Sequence, residues 1–398
     1  MKPLRVLVTG ARAYYALPVI RCLGRRGHSV TAADSDPHAT GFYSRYTAAS
    51  WVYPRIDRDH GAWFDALRTH LRREPHDVIL PLYEEALALS RYAPALAGLA
   101  SIPVGDYAGM MQLHDKRRLY ELAARIGVPV PRTRVVAGPL PADVTFPLVV
   151  KVGQSSSARG VAIVHSAREF EKAWQAMQVS HRLPGSVPAI VQDFVDGEQL
   201  CTLSFAWRGA CKGTLVYRNL CEFPRNGGAG IVRTSIHHAE IAKHVQTLIE
   251  ANGSHGVVGF DFMIDRNGRP WLTDANPRPT PGIFLAQRCG LDLVGMAVGS
   301  EEPSAAAVVR AGLRTRIDPI VALWMLRSLL PGRDYWRRLR MTLSLLIPKR
   351  CSASDFFSID DLRSLRALPI AALDAVRTLL RGSGGLLETV AASQYRDY

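Results

Sequence analysis

The chain has 398 residues, 47% of them hydrophobic and 21% charged, which suits two or three globular domains with separate cores and excludes a disordered or low-complexity protein. Its formal charge is +14, but ten Lys/Arg against two acids (Asp318, Asp334) fall between Arg310 and Arg350, so the basicity is local and no nucleic-acid-binding face is expected. The six cysteines form no CxxC pair and no compact Cys/His spacing, which leaves a zinc site unsupported and fits reduced thiols in a cytoplasmic protein.

Met1-Lys2-Pro3 leads directly into an apolar run, and no cleavable signal is expected. Residues 1–112 alternate strands and helices: RVLVTG, a helix near Ala16–Arg26, HSVTAAD, a helix near Ala62–Arg73, then DVILPL. That order predicts a Rossmann-like α/β domain. Its opening, VLVTGARAYY, suggests an NAD(P)-dependent reductase or epimerase, yet only Gly10 stands where the dinucleotide fingerprint has three glycines, and Tyr15 holds the third place. No G-x-G-x-x-G and no Tyr-x-x-x-Lys pair is present. A Pro/Gly-punctuated stretch, SIPVGDYAGM, then precedes a helix, HDKRRLYELAARIG, which stops at Gly127 with prolines beyond.

From residue 144 the texture changes to longer strands and hairpins, FPLVVKV, VAIV, AIVQDFV, LCTLSFAW, GTLVYRNL, GVVGFDFMID and PWLTDAN. This predicts an α+β unit with mostly antiparallel pairing. Within PLVVKVGQSSSARGVAIV, Lys151 ends a strand and a Gly/Ser loop from Gly153 to Gly160 returns into the next. Small residues admit phosphate oxygens to backbone N–H groups and a lysine neutralises them; an ordinary turn is the bland alternative. AIVQDFVDGEQL offers backbone after Gln192 for an adenine and Glu198 for ribose hydroxyls, against the alternative of a plain strand and Asp-Gly turn.

VVGFDFMIDRNGRPWLTDANPRP (257–279) carries the strongest signal. Asn267-Gly268 between two apolar runs predicts a hairpin. With those two as the turn, Asp261 faces Asp274, Asn276 shares their side, and Phe260, Phe262, Ile264, Trp271 and Ala275 form the core face. Directly opposed carboxylates repel, and a cation between them removes the conflict. Their hard oxygens suit Mg²⁺; a solvated acidic hairpin with slipped register is the alternative.

In this order the pieces resemble the ATP-grasp superfamily, relatives of D-alanine–D-alanine ligase, biotin carboxylase, carbamoyl-phosphate synthetase and amino-acid ligases. The resemblance covers residues 1 to about 300, and Asp261 with Asp274-Ala-Asn276-Pro-Arg278 is its strongest part. It implies a pre-ATP-grasp domain (1–112) and an ATP-grasp domain (113–305) with antiparallel sheets. The latter divides into a small subdomain with the nucleotide lysines and hinge (113–196) and a large one with the metal site (197–305). A basic, mainly helical region (306–398) follows.

The resemblance also implies ATP and one or two Mg²⁺, or Mn²⁺. Lys116, Lys151, Ser155, Ser156, Gly160, Gln192, Asp193, Val195 and Glu198 would hold the nucleotide. Asp261, Asp274 and Asn276 would hold metal, and Arg278 and Lys151 would act at the transferred phosphoryl group. The implied activity phosphorylates a carboxylate and passes the acyl phosphate to an amine or other nucleophile, with release of ADP and phosphate. Three departures stand out: Asp274 where glutamate is usual, glycine (Val152-Gly153) in place of a frequent proline, and Gln192 where many relatives have glutamate. A nucleotide-binding sensor without catalysis is the alternative that the Asp274 departure leaves open.

On the acceptor side, YRNLCEFPRNGGAGIVRTSIHH reads as a strand, a glycine loop with Gly228, and a second strand. Arg225 or Arg233 there offers bidentate binding of a substrate carboxylate, the alternative being a surface arginine. Residues 318–350 mix apolar runs, arginines and Trp324 and Trp336. Arg327 and Pro331 rule out a span, leaving either helices that cap the enzyme or peripheral contact with the inner face of a membrane. Small-molecule carboxylate and amine partners are implied, and a homodimer is compatible with the resemblance.

Overall fold

The computed structural model describes residues 2–13, 15–154, 160–181, 187–223, 229–299, 302–303, 309–318, 336 and 352–369. The chain begins with β1 (Arg5–Thr9), α1 (Ala16–Arg25), β2 (Ser29–Asp34), a 3₁₀ turn (Thr40–Tyr43), β3 (Thr47–Val52), α2 (His60–Arg73), β4 (Val78–Pro81) and α3 (Glu85–Leu96). The four strands are parallel, in the order β3-β2-β1-β4. Helices bury both faces of such a sheet, and Val6, Leu7, Val8, Val30, Ala32 and Ile79 are accordingly buried.

At the carboxyl ends of these strands the chain fills the dinucleotide crevice with its own ion pair. Gly10 takes φ +72°, which favours glycine. Arg12, next in the turn, donates through Nε to Asp34 Oδ1 and through its backbone N to Oδ2, both at 2.7 Å. Asp34 is the acid that would otherwise meet a ribose; here it is fully buried under Arg12. This pairing argues against the dinucleotide reading.

Next come α4 (Tyr107–His114), α5 (Lys116–Arg125), β5 (Thr133–Val136), β6 (Leu148–Lys151), β7 (Val161–Val164), α6 (Ala167–Ser180) and β8 (Ala189–Asp193). They build a small antiparallel sheet, β5-β8-β6-β7, with α6 packed on one face through Phe170 and Met177. The rest are β9 (Gly197–Trp207), β10 (Ala210–Phe223), β11 (Ala229–Ile236), α7 (Ala239–Asn252), β12 (Gly256–Asp265), β13 (Pro270–Asn276), α8 (Ile283–Arg288), α9 (Leu293–Val298), β14 (Arg314–Arg316) and β15 (Ser352–Ser354). They give a seven-stranded sheet, β13-β12-β9-β10-β11-β14-β15, antiparallel except for its last pair.

The β12–β13 hairpin departs from the expected two-residue turn. Asp265 N donates to Arg269 O and Gly268 N to Asp265 O, which closes a three-residue loop with Gly268 at φ +83°. Pairing near the loop is therefore one residue out, Phe262 opposite Leu272 rather than Thr273. A bulge at Thr273 restores it, so that Asp261 still pairs with Asp274. The shift exchanges two neighbours: Leu272 is fully buried in the core and Trp271 is not part of it. Trp271 instead donates to Asp265 Oδ2 and lies under Arg269. Leu272→Ala should therefore lower stability by about 2–5 kcal/mol, and Trp271→Ala by clearly less. Urea unfolding of the two variants checks this, and the reverse order would contradict the bulge.

Past residue 305 the expected helical region falls mostly outside the described residues, as does nearly all of 318–350. The described part adds β14 and β15 to the sheet and then ties back to the first domain. Asp361 accepts from Arg21 Nε (2.8 Å), Ser44 Oγ (2.7 Å) and Arg45 N (2.7 Å), while Asp360 pairs with Arg25 and Tyr46. Residues 352–366 thus form a strap from β14 to α1.

Candidate functional site

The site forms where α5, the end of β6 and the β12–β13 hairpin meet. Asp115 caps α5, accepting from the N–H groups of Arg117 and Arg118, and this sets Lys116 as the first helical residue. Its backbone N donates to Gly153 O at 2.9 Å, which anchors the base of the Gly/Ser loop. Its side chain is 1% exposed, with Nζ 3.3 Å from Asp274 Oδ1. Lys151, also buried, donates from Nζ to Tyr120 Oη and to Thr273 O, each at 2.9 Å.

Burial, with Asp274 beside it, pushes the Asp261 carboxyl up to about 7. Burial pushes the Lys151 ammonium down to about 7 against the attraction of Asp274. Each shift marks a charge held short of a partner in a dry place. Asn276 Nδ2 lies 3.5 Å from Asp261 Oδ2. Two carboxylates and an amide fit a hard cation that takes its remaining ligands from phosphates and water. Among the described residues no three His, Cys, Asp or Glu side chains are placed to hold a metal by themselves.

The small sheet contributes an apolar platform that sequence reading missed. Val161 lies directly opposite Lys151, and Val149 opposite Ile163, so all four share one face. Val161 and Ile163 are 36% and 52% exposed, unusual for a strand whose other face packs on α6. Gln192 is buried in the adjoining strand, donating from Nε2 to Thr133 Oγ1 at 2.8 Å. Asp193, exposed, gives its backbone N to Arg132 O, and Val195 is half-buried in the link to β9. Glu198 is exposed at the start of β9, 3.2 Å from Arg218 Nη1. Gly160 closes the loop, its carbonyl accepting from Val152 N. Ser155, Ser156, Arg225 and Gly228 lie outside the described residues.

Two arginines have partners that the sequence did not disclose. Arg278 lies 2.9 Å from Glu84 Oε1 through Nη2 and stacks on Tyr83, 4.3 Å from the ring centre, which joins the site to the end of β4. Arg233 is neither on the surface nor open to substrate: it is 1% exposed and donates from Nη1 to Asp355 Oδ2 at 2.6 Å. That bond engages Nη1 alone, and the buried Nη2 has no hydrogen-bond partner among the described residues. Glu222 does face the site. The β10–β11 pairing is irregular between Asn219 and Glu222, and Glu222 accepts from Asn219 Nδ2 at 3.3 Å. Its charge adds to the upward push on Asp261.

No family model matches the chain. A formate-dependent phosphoribosylglycinamide formyltransferase of Bacillus subtilis is 24% identical over 267 residues, 64% of this chain and 66% of that protein. Its counterpart in a Synechococcus strain is 30% identical over 145 residues, 35% and 36% of the two chains. The match thus spans less than two thirds of either relative. Among solved structures, biotin carboxylase from Campylobacter jejuni, in a β,γ-ATP complex, superposes with a TM-score of 0.64 at 16% identity, covering 78% of this chain and 74% of that one. An L-amino acid ligase from Bacillus licheniformis gives 0.62 at 17%, covering 79% of each. An N5-carboxyaminoimidazole synthetase from Staphylococcus aureus with ADP bound gives 0.60 at 14%, covering 77% and 80%. Parallel sheet, small antiparallel sheet and large antiparallel sheet follow one another along the chain, which has the ATP-grasp fold of these solved structures.

Proposed function

We propose that the chain is an ATP-dependent ligase that activates a small-molecule carboxylate as its acyl phosphate and couples it to an amine, releasing ADP and phosphate. The observation that carries this reading is the in-register Asp261–Asp274 pair, flanked by the buried ammonium groups of Lys116 and Lys151. Phosphoryl transfer needs charge placed around β- and γ-oxygens more than it needs covalent help. Lys151 and Lys116 would meet the phosphates, with the base on the Val149–Ile163 platform and Glu198 turned from Arg218 to the ribose. Asp261, Asp274 and Asn276 would hold Mg²⁺, or Mn²⁺, whose chemistry is to neutralise charge on the transferring group.

In the first step a carboxylate oxygen attacks the γ-phosphorus and ADP leaves. In the second the amine nitrogen attacks the acyl carbon and phosphate leaves with that oxygen. Arg278, held between Glu84 and Tyr83, would hold the acyl phosphate's charge, and Glu222 would take the amine's proton. Among the described residues no helix is long and apolar enough to cross a membrane.

Purified protein incubated with Mg-ATP, pooled carboxylic acids and pooled amines should form ADP rather than AMP, together with a coupled mass. ATP binding without turnover on any pool would favour a sensor, and NAD binding without ATP turnover would overturn the reading.

A further inference from the structure

Lys116 and Tyr120 stand four residues apart on α5, so they share one face of the helix. Both reach the same short piece of β13, Lys116 to Asp274 and Tyr120 to the residue before it. That residue is the bulged Thr273, whose carbonyl takes two donors from outside the sheet: Tyr120 Oη at 2.7 Å and Lys151 Nζ at 2.9 Å. Lys151 Nζ in turn donates to Tyr120 Oη at 2.9 Å. The three groups close a ring, with Lys151 and Tyr120 both buried.

An ammonium has three N–H donors and no acceptor. Two of those on Lys151 are fixed by Tyr120 Oη and Thr273 O, which leaves a single direction for the third. The hydroxyl of Tyr120 accepts from Lys151 and gives its own proton to Thr273 O, so it cannot be replaced by a donor alone. We infer that Tyr120 is a positioning residue for nucleotide binding: with the Thr273 bulge it holds the Lys151 ammonium so that its third N–H meets a nucleotide phosphate. This rests on the nucleotide reading of Lys151 given above. Orientation is prepared before binding, so the side-chain entropy of a long lysine is not lost when the phosphate arrives.

Isothermal titration with Mg-ADP tests this in the wild type, Tyr120→Phe, Lys151→Met and the double variant. Tyr120→Phe should raise the Kd about tenfold, the size of one charge-assisted hydrogen bond. In the Lys151→Met background the same change should raise it less than about twofold, because the group it orients is gone. An equal factor in both backgrounds would overturn the proposal, since that is what altered packing of α5 produces. An unchanged Kd for Tyr120→Phe alone would overturn it too. Tyr120→Leu, which keeps an apolar body, serves the same cycle if the phenylalanine variant does not fold. A wild type that does not bind Mg-ADP defeats the nucleotide reading itself, and this proposal with it.

Discussion

Asp261→Asn should abolish Mg²⁺-dependent turnover, by at least ~10²–10³-fold, as expected when a group placed at developing charge is removed. The same change should raise the stability of the metal-free protein near pH 8. The sign follows from the shift of the carboxyl to about 7 in the folded chain, against about 3.9 unfolded. Between those values the native state holds a proton that the unfolded chain has released, so stability falls as pH rises through that window and stays low above it. Asparagine cannot ionise and escapes the loss, which is expected to appear as a midpoint at least about 2 °C higher at pH 8 and no difference of that kind below about pH 4. Mg²⁺ binds the ionised form and should stabilise the wild type more at pH 8 than at pH 6, but not the variant. Thermal unfolding with and without Mg²⁺ at several pH values checks all three statements. An Asp261→Asn variant with full activity would remove the metal assignment.

Asp361→Ala should be among the most destabilising single substitutions in the chain. The carboxylate is fully buried and receives Arg21 Nε, Ser44 Oγ and the backbone N of Arg45. Removing it strands the Arg21 guanidinium, itself 3% exposed. Breaking a buried pair from one side costs about 3–5 kcal/mol, because the remaining charge stays desolvated. Asp360, one residue earlier, makes an exposed pair with Arg25, and exposed pairs contribute about 0–1 kcal/mol. Asp360→Ala is therefore the matched control. Urea unfolding should separate the two variants by several kcal/mol; equal small losses would show that the strap does not hold the first domain to the sheet.

Much of this fold was legible because its signals are local. The pairing of Asp261 with Asp274 follows from hairpin chemistry and a period of two, and Lys151 announces itself by ending an apolar strand before a Gly/Ser loop. The bulge was not legible, since a longer loop and an extra residue at Thr273 cancel in the register of the carboxylates while exchanging Trp271 for Leu272 in the core. Partners far apart in the chain were also out of reach. Nothing in the local pattern links Arg233 to Asp355, Arg21 to Asp361 or Arg278 to Glu84. Tyr120 had a readable cue in its four-residue spacing from Lys116, but its hydroxyl has meaning only once β13 is seen beside α5. Helix α3 carries Pro94 within it, a residue that normally argues against a helix, and α4 begins within the Pro/Gly-punctuated stretch SIPVGDYAGM. In the opening stretch one missing fingerprint was visible, whereas the reason for it, Arg12 folded onto Asp34, was not.

In the proposed reaction a carboxylate is activated by phosphorylation on its own oxygen. This activation is tested most directly by offering the enzyme Mg-ATP, amines and carboxylic acids labelled with ¹⁸O in the carboxyl group, and weighing the phosphate released. An acyl phosphate requires one labelled oxygen to leave with the phosphate as ADP accumulates. Unlabelled phosphate with continued turnover would show that ATP is hydrolysed by water, and would contradict the account.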